Sequence, residues 1–541
     1  MKYNKFNKIA IINRTWPDNE ITEAPIWCSV DLRDGNQSLI TPMSLEKKVK
    51  FFTLLVEMGF KEIEIGFPSA SEVEYAFTRH LIENDLIPDD VSIQILTQAR
   101  EHLIEKSAQA LKGAKNVIVH LYNSTSTMQR EVVFAKSQEE IIDIALEGVA
   151  WVKKHFADFE GNVRFEYSPE SFTQTELAFA VKICDVVVDA WDPKENEKVI
   201  LNLPATVEAS TPNIYADQIE WMCQNLKRRE DVLVSVHAHN DRGCAVAATE
   251  LALMAGADRV EGTLMGNGER TGNVDIVTVG LNMFTQGVNP KLDFSNVDKI
   301  IAVVEEANEI KTHVRHPYVG ELVYTAFSGS HQDAIKKGMA KQKEGAQWYV
   351  PYLPIDPKDV GRDYDAIIRI NSQSGKGGVS YILENQYGYQ IPKKMQADIG
   401  KVIQQRSEEV SGVMSERAIK EAFENHFLNR CDSIMIENIL IDIKEKEVCV
   451  EGDFIIGEKT YHEKICSGGI IEAISKVFQN RGIDFEVLEY FEHALSEGSD
   501  SKAVAYFSIM IEGKVVYGVG MDDNISFASI KAFVSALNVA C

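Results

Sequence analysis

Two histidines separated by one residue provide the clearest chemical signal in this sequence. His237 and His239 lie in a β-rich run, and residues i and i+2 of a strand point to the same face. Two imidazoles on one face, completed by a carboxylate such as Asp34, would form a site for a divalent metal. The alternative is a pair of hydrogen-bonded core histidines, and the spacing alone leaves both interpretations open.

Polar residues after other β-rich runs suit acid–base chemistry. Glu170 follows the fifth run, and Glu269 lies in the glycine-rich loop Gly266–Asn273 after the last run. That loop either holds a phosphate or forms a tight turn that aims Glu269 and Asn273 inward. The sequence has no P-loop and no G-x-S-x-G motif, so neither a P-loop nucleotide site nor a serine hydrolase is indicated.

Eight β-rich runs, each followed by a helix-length amphipathic segment, must position these residues. The runs span residues 25–32, 62–67, 92–97, 116–122, 163–168, 199–204, 232–240 and 259–266. A (β/α)8 barrel needs eight such units and has its active site at the carboxyl ends of the strands. The competing doubly wound sheet often carries G-x-G-x-x-G after its first strand, where this chain has Arg33-Asp34-Gly35. We therefore predict an α/β fold with a TIM barrel.

The remaining sequence predicts further domains beyond the barrel. The predicted divisions are an N-terminal extension (1–24), the catalytic barrel (25–290), helical linker subdomains (291–428) and a C-terminal domain (429–541). The last division contains a weak repeat in which strands precede one helix, with strands at 439–443, 446–455, 503–511 and 514–519. Such a small duplicated α+β module either binds a regulatory ligand or forms a dimer interface.

Composition and charge exclude several classes of protein. The chain has 541 residues and a formal net charge of -25, which argues against a nucleic-acid binder or a protein held on anionic membranes. No apolar run is long enough for a membrane span, and the N-terminal apolar run is too short for a signal peptide. The eight cysteines are scattered without a C-x-x-C pair, which predicts reduced thiols in the cytoplasm and no disulfide framework.

Ten segments of the sequence carry a resemblance to a known family. They are LRDGNQSL (32–39), GFKEIEIGFPSAS (59–71), HLYNSTS (120–126), FEYSPESFT (165–173), NLPATVE (202–208), HAHNDRG (237–243), GNGERTGNVD (266–275), FSGSHQDAI (327–335), YLPIDPKDVGRDY (352–364) and NSQSGKGGV (371–379). The chain resembles the 2-isopropylmalate synthases, specifically the longer subgroup with a C-terminal leucine-sensing domain. LRDG, HAHND and GNGERTGN are shared across the wider superfamily, whereas FEYSPE, SGSHQDA and SQSGKGG are more specific to this subgroup.

The resemblance implies a reaction and a set of roles. Acetyl-CoA would condense with 3-methyl-2-oxobutanoate, and thioester hydrolysis would release 2-isopropylmalate and CoA in the first committed step of leucine biosynthesis. The implied divalent cation is Mg²⁺, Mn²⁺ or Zn²⁺, with K⁺ as an activator. The implied metal ligands are Asp34, His237, His239 and Asn273; the substrate contacts are His120, Ser168 and Thr206; the catalytic groups are Arg33, Glu170, Glu269, His331 and Tyr364. His331 would reach the site from the partner subunit of a homodimer.

The C-terminal domain departs from the family pattern in its first repeat. Where the family usually carries Gly-Asn-Gly-Pro-Ile, this chain has Cys466-Ser467-Gly468-Gly469-Ile470, while the second repeat keeps Gly518-Val519-Gly520. The resemblance implies a leucine effector pocket between Gly468–Gly469 and Gly518–Gly520. The resemblance implies feedback inhibition by leucine, and the departure lies on one side of the implied pocket.

Rival functions of three kinds stay open. Homocitrate synthase and citramalate synthase use the same chemistry with another 2-oxo acid, and related lyases run the reverse cleavage. A catalytically silent leucine-binding regulator is the non-enzymatic alternative. All metal and acid–base positions of the family are present here, which favours an enzyme.

Overall fold

A computed structural model describes most of the chain. The described residues are 2, 6, 8–362, 376–410, 414–443, 445, 447–495 and 501–540. They divide into two compact units, Met1–Val323 with Ile355–Arg362, and Tyr324–Pro354 with Asp363–Cys541.

The first unit contains a closed barrel of eight parallel strands, which confirms the predicted fold. The strands are β1 (Ile26–Ser29), β2 (Glu62–Gly66), β3 (Ser92–Gln98), β4 (Asn116–Ser124), β5 (Asn162–Glu170), β6 (Val199–Ala205), β7 (Val232–Ala238) and β8 (Arg259–Gly262). Each strand pairs with its neighbour in sequence, and β1 pairs with β8 from Ile26 opposite Arg259 to Ser29 opposite Gly262. The barrel closes because each connecting helix returns the chain to the start of the next strand.

Helices alternate with these strands, and several of them begin at a residue whose side chain caps the helix. They are α1 (Leu45–Glu57), α2 (Glu72–Glu83), α3 (Glu101–Leu111), α4 (Gln138–His155), α5 (Leu177–Trp191), α6 (Pro212–Asn225), α7 (Ala245–Met254), α8 (Ile276–Thr285) and α9 (Val297–Asn308). The Ser44 hydroxyl accepts from the Lys47 backbone N–H at the start of α1. Ser137 and Glu140 form a full capping box at the start of α4.

Helix α9 lies against the barrel, in the stretch where the sequence predicts linker subdomains. Lys299 Nζ on α9 lies 2.7 Å from Glu57 Oε2 on α1, and both belong to the first unit. The boundaries after residues 24, 290 and 428 stay a prediction.

The second unit combines helices with two small antiparallel sheets. Its helices are α10 (Gly329–Lys341), α11 (Lys376–Tyr387), α12 (Gln396–Val410), α13 (Glu416–Phe427), α14 (Ile470–Asn480) and α15 (Ile525–Ala540). Its strands are β9 (Ile434–Ile443), β10 (Val448–Ile456), β11 (Lys459–Ser467), β12 (Phe485–Ala494), β13 (Ala503–Ile511) and β14 (Lys514–Asp522). Each sheet has three strands and is followed by one helix, which confirms the predicted α+β repeat. Strand β12 was absent from the sequence-based expectation because its exposed, glutamate-rich pattern does not alternate clearly.

One apolar core joins the two repeats of this module. Phe533 on α15 is fully buried and contacts the rings of Phe478, Phe485 and Phe507 at centroid distances of 6.2, 5.3 and 5.8 Å. These rings come from both repeats, so neither sheet buries its apolar face without the other.

Two cysteines of this module form a disulfide, so the expectation of uniformly reduced thiols is wrong for this pair. Cys449 on β10 and Cys466 on β11 are bonded to each other and lie directly opposite in the antiparallel register. Their separation of 17 residues carries no motif. Only the pairing of the strands makes them neighbours.

No helix among the described residues is long and apolar enough to cross a bilayer.

Phe533→Ala is expected to loosen the C-terminal module. Removing a fully buried phenylalanine leaves a cavity and costs about 3–5 kcal/mol. Hydrogen exchange measured by mass spectrometry should show faster exchange in peptides covering β13 and α15. Tyr349→Ala, at a side chain that is 89% exposed, is the control and should leave exchange unchanged. Equal exchange in the two variants would contradict the assigned core.

Candidate active site

A cavity of about 300 Å³ opens at the carboxyl ends of the barrel strands. Both charged and apolar side chains from strands and following loops line it. They are Arg33, Asp34, Gln37, Leu96, His120, Tyr122, Ser168, Glu170, Asn202, Pro204, Thr206, His237, His239, Glu269 and Arg270. Nine of the residues proposed from the sequence line this cavity.

Asp34 lies close to the other three expected metal ligands. Its Oδ2 is 3.2 Å from His237 Nε2, 3.4 Å from His239 Nε2 and 2.8 Å from Asn273 Nδ2. All four side chains are buried, with exposures of 5% or less. The four residues come from separate motifs of the sequence, and the structure brings all four together.

Local backbone structure holds each of these side chains in place. Asp34 lies in a short wide helical turn, Asp31–Gly35, that begins directly after β1. His237 belongs to β7, and His239 forms an isolated bridge with Asn273 from the loop after β8. The loop between β8 and α8 is therefore bound to the end of β7 by main-chain pairing.

The glycines of the loop Gly266–Asn273 allow a close approach that other residues would prevent. A Cβ at Gly268 would overlap the Asn273 side-chain oxygen. Gly272 has a φ of +96°, and a Cβ there would overlap the carbonyl of Gly266. The loop thus forms a tight turn that aims Asn273 inward, and Glu269 lines the cavity.

Charge and burial set the protonation of the cluster. Burial raises the pKa of Asp34, but the charge of Arg33 and the hydrogen bond from His237 outweigh it and hold that pKa well below its usual range. Burial lowers the pKa of His237, whereas its hydrogen bonds to Asp34 and Glu261 raise it to about 9. Burial and the charge of His237 lower the pKa of His239 to about 4. Without a cation, the site therefore holds one carboxylate, one imidazolium and one neutral imidazole near neutral pH.

The four side chains fit a divalent cation. Ligand atoms about 2.1 Å from one ion at right angles lie about 3 Å apart. The distances of 3.2 and 3.4 Å from Asp34 Oδ2 to His237 Nε2 and His239 Nε2 are close to this value, so these three residues could hold one ion. Asn273 presents its Nδ2 to Asp34, so its amide must turn for Oδ1 to ligate the same ion. Asn273 Oδ1 and His239 Nδ1 are buried and have no hydrogen-bond partner in the part of the chain that the structure describes. Carboxylate, imidazole and amide groups suit Mg²⁺, Mn²⁺ or Zn²⁺.

Arg33 is the fixed positive charge beside this cluster. Its Nη1 lies 3.1 Å from Asp34 Oδ1, and its Nε donates to Glu64 on β2. Burial lowers the pKa of Arg33, but the charges of Glu64 and Asp34 raise it well above its usual range, so the guanidinium stays charged.

His120 and Ser168 form the wall next to Arg33. His120 Nδ1 lies 2.9 Å from Glu64 Oε2, and its Nε2 lies 2.7 Å from Ser168 Oγ. Because a carboxylate accepts, Glu64 holds the proton on Nδ1, and Nε2 then accepts from the serine hydroxyl. Thr206 Oγ1 accepts from the Ser171 backbone N–H at 2.9 Å.

The two candidate acid–base carboxylates lie at different places on the cavity wall. Glu170, at the end of β5, accepts a hydrogen bond from the Ser124 hydroxyl at the end of β4. Glu269 accepts from Gln37 Nε2 at 3.4 Å. Glu170 therefore reaches the cavity from the last residue of a strand and Glu269 from a loop that follows one, where the barrel fold places its chemistry.

His331 is not among the residues that line this cavity. His331 is on α10 in the second unit, where its ring stacks on Tyr352 at 4.0 Å. Tyr364 lies outside the described residues.

The predicted effector glycines differ in their surroundings. Gly468 and Gly469 precede α14, Gly468 is exposed, and a Cβ on Gly469 would meet nothing within 4 Å. Gly518 and Gly520 are buried on β14, where a Cβ would overlap backbone atoms of α15. Close packing of α15 on β14 therefore accounts for the second pair.

Sequence reasoning missed several residues of the cavity and the layer beneath it. They are Gln37, Leu96, Tyr122, Asn202, Pro204 and Arg270 in the lining, and Glu64 and Glu261 below it. A signal was available, since Glu62, Glu64 and Glu166 alternate with apolar residues in strands that are buried on both faces. Polar residues at alternate positions of a barrel strand point to its interior.

Family models match three successive parts of the chain. Residues 24–304 match an HMGL-like model, and residues 321–384 match the model of the alpha-isopropylmalate synthase post-catalytic domain. Residues 416–541 match the LeuA allosteric (dimerisation) domain.

Curated relatives match along nearly the whole length. The 2-isopropylmalate synthase of Clostridium acetobutylicum is 52% identical over 99% of this chain and 98% of its own. Those of Acetoanaerobium sticklandii and Pseudomonas putida are 52% and 51% identical, each over 99% of this chain and 96% of theirs. Among solved structures, the HMG-CoA lyase of Brucella melitensis is 16% identical and covers 53% of this chain and all of its own, with a TM-score of 0.43.

Identity of this extent, continuous from the barrel through both later domains, places the chain in a family whose members are acyltransferases. The chain belongs to the 2-isopropylmalate synthase family.

Proposed function

We propose that this protein condenses acetyl-CoA with 3-methyl-2-oxobutanoate and hydrolyses the thioester to 2-isopropylmalate and CoA. The observation that carries the proposal is the cluster of Asp34, His237, His239 and Asn273 beside Arg33 at the floor of the barrel cavity. Membership of the family supports the choice of reaction.

The proposed role of the cluster follows from the chemistry of a 2-oxo acid. Its keto oxygen and one carboxylate oxygen can chelate a divalent cation held by Asp34, His237, His239 and Asn273, which would polarise the ketone as a Lewis acid. Arg33 presents a permanent positive charge next to the same position and stabilises negative charge that develops on the keto oxygen. The concentrated positive charge lets a chain with a net charge of -25 bind an anionic substrate.

Proton transfer from the acetyl methyl group needs a base close to the cavity. A thioester methyl is a very weak acid, so a positioned carboxylate or imidazole is required. We assign this duty to the set Glu170, Glu269 and His331, with His331 contributed by the partner subunit of a homodimer. Tyr364 is proposed as a further catalytic residue. Glu170 and Glu269 line the cavity, which supports their part in the assignment.

The cavity wall supports a 2-oxo acid with an apolar side chain. Leu96 and Pro204 contribute apolar surface beside His120, Ser168 and Thr206, which we propose as substrate contacts. The second cationic residue of the lining, Arg270, pairs with Asp241 Oδ1 at 2.7 Å and donates to the Thr206 carbonyl. A dicarboxylate such as 2-oxoglutarate needs another cation that is not already paired.

Leucine is the proposed effector, bound by the C-terminal module between Gly468–Gly469 of the first repeat and Gly518–Gly520 of the second. The match to the LeuA allosteric (dimerisation) domain supports this proposal. We also propose that K⁺ activates the enzyme and that the protein is cytoplasmic.

A thiol-release assay tests the central proposal. Purified protein should release CoA from acetyl-CoA with 3-methyl-2-oxobutanoate well above the rate with pyruvate or 2-oxoglutarate. Chelation should abolish release, and added Mg²⁺, Mn²⁺ or Zn²⁺ should restore it. Preference for pyruvate or 2-oxoglutarate would indicate citramalate or homocitrate synthase, and no release with any of them would favour a leucine-binding regulator.

Gly268→Ala is expected to displace Asn273, because the added Cβ overlaps the asparagine side chain. A displacement of about 1 Å in such a site can lower kcat/KM by about 100-fold. Gly287→Ala is the control, since a Cβ there meets nothing within 4 Å. Its φ of +84° makes the substitution cost about 1–2 kcal/mol of stability, but its kcat/KM should stay within about twofold. Equal kcat/KM in both variants would contradict the placement of Asn273.

Leucine should inhibit turnover at millimolar concentration. A steady-state titration with leucine, with alanine as the control amino acid, measures the effect. Unchanged turnover in saturating leucine would remove the effector proposal and leave the catalytic one intact.

A further inference from the structure

The interior of the barrel below the cavity is charged. Fully or almost fully buried side chains from four strands point into it, and they contact one another. They are Glu62, Glu64, Gln94, Glu166, Arg259 and Glu261. Apolar side chains usually fill this space in a TIM barrel, so the presence of a charged layer here suggests a specific role.

Glu261 on β8 connects this layer to the cluster at Asp34. Its Oε2 lies 2.9 Å from His237 Nδ1 and accepts from Asn202 Nδ2 at 3.0 Å. Its Oε1 accepts from Gln94 Nε2 at 2.8 Å and from Arg259 Nη1 at 2.9 Å. Four partners from four strands fix this carboxylate, so it has no freedom to rotate away from His237.

Arg259 holds Glu261 from the other side. Its Nη1 also donates to Ser235 Oγ at 2.8 Å, its Nε donates to Glu62 Oε2 at 2.6 Å, and its Nη2 donates to Gln94 Oε1 at 2.7 Å. The guanidinium is fully buried and anchored in several directions. A rigid row of contacts thus runs from Glu62 through Arg259 and Glu261 to His237.

The geometry determines which nitrogen of His237 can face a cation. An ionised carboxylate only accepts hydrogen bonds, so the proton stays on His237 Nδ1, which donates it in a hydrogen bond to Glu261. Nε2, which lies 3.2 Å from Asp34 Oδ2, is then the nitrogen whose lone pair is available to an ion. His239 lacks this support, because its Nδ1 has no hydrogen-bond partner within the described ranges.

We infer that Glu261 is a positioning residue for the metal centre, fixing the tautomer and ring orientation of His237. This inference rests on the proposed function, namely that Asp34, His237, His239 and Asn273 bind a divalent cation. Partners of this kind typically contribute a factor of about 10–100 to metal affinity. Glu261→Gln replaces an acceptor by an amide whose nitrogen would face either the donors Asn202 and His237 or the donors Gln94 and Arg259.

Direct metal binding tests the inference without measuring catalysis. Full-length protein is freed of metal with a chelator and titrated with Mn²⁺, and the dissociation constant is measured for each variant. Glu261→Gln should weaken binding by about 10–100-fold. Glu166→Gln is the matched control, an equally buried carboxyl of the same layer that does not touch the four ligands, and should stay within about threefold.

A third variant separates failure of this inference from failure of the proposed function. If His237→Ala loses binding while Glu261→Gln binds as wild type, Glu261 is not a positioning residue and the metal site stands. If His237→Ala also binds as wild type, the proposed metal site is wrong and this inference falls with it. Equal losses in Glu261→Gln and Glu166→Gln would show a general effect of the charged layer and overturn the assignment.

Glu261→Asp tests the same contact in case the glutamine variant fails to fold. It keeps the charge that faces Arg259 but shortens the side chain by one methylene, so it withdraws from His237 Nδ1. Its metal affinity should fall in the same direction by a smaller factor, with the circular dichroism spectrum unchanged. Wild-type affinity in a folded Glu261→Asp protein would contradict a role that depends on the contact with His237.

Discussion

The contact between Asp34 and His237 joins the turn after β1 to the non-adjacent strand β7, at a depth where both side chains are almost fully buried. Placing a carboxylate there is costly unless positive charge faces it. Arg33 supplies one such charge. A second comes from His237 as an imidazolium or, when its Nε2 ligates an ion, from the bound cation. The turn after β1 and the glycine-rich loop after β8 both have unusual backbone shapes because they must deliver side chains to this one point.

The same constraint extends downward through the interior of the barrel. Burial would raise the pKa of Glu261, but Arg259 and His237 hold it well below its usual range, so it stays a carboxylate. Glu166 shows the opposite balance, because burial and the nearby Glu261 and Glu64 raise its pKa well above the usual range despite Arg259. Removing one partner from such a network is strongly destabilising, because it leaves a buried charge without compensation. The hydrogen bonds of such a network also hold its side chains rigidly below the site.

The C-terminal module obeys a packing constraint instead of an electrostatic one. Its two sheets share one apolar core around Phe533, and Gly518 and Gly520 let α15 approach β14 closely. The second repeat keeps its glycines because the fold needs them. The first repeat, whose Gly468 and Gly469 do not face such a helix, is free to differ from the family pattern without loss of the core.

The sequence by itself determined the fold class, the eight strands and most of the cavity. Each barrel strand is a local run of β-forming residues between caps and turns, and the strands' carboxyl ends follow from chain order alone. Asp34, His237, His239 and Asn273 could be named because they stand in motifs. The exposed strand β12 escaped prediction because its pattern lacks a clear period.

Only the tertiary structure decided which residues support those motifs. Glu261, Arg259 and Gln94 look like ordinary polar residues in short strands, and their roles depend on contacts across 165 and 167 positions of sequence. The disulfide between Cys449 and Cys466 likewise depends on strand register. Motif spacing records local geometry, whereas the pairing of buried charges is settled only when closure of the barrel brings distant strands within hydrogen-bond distance of one another.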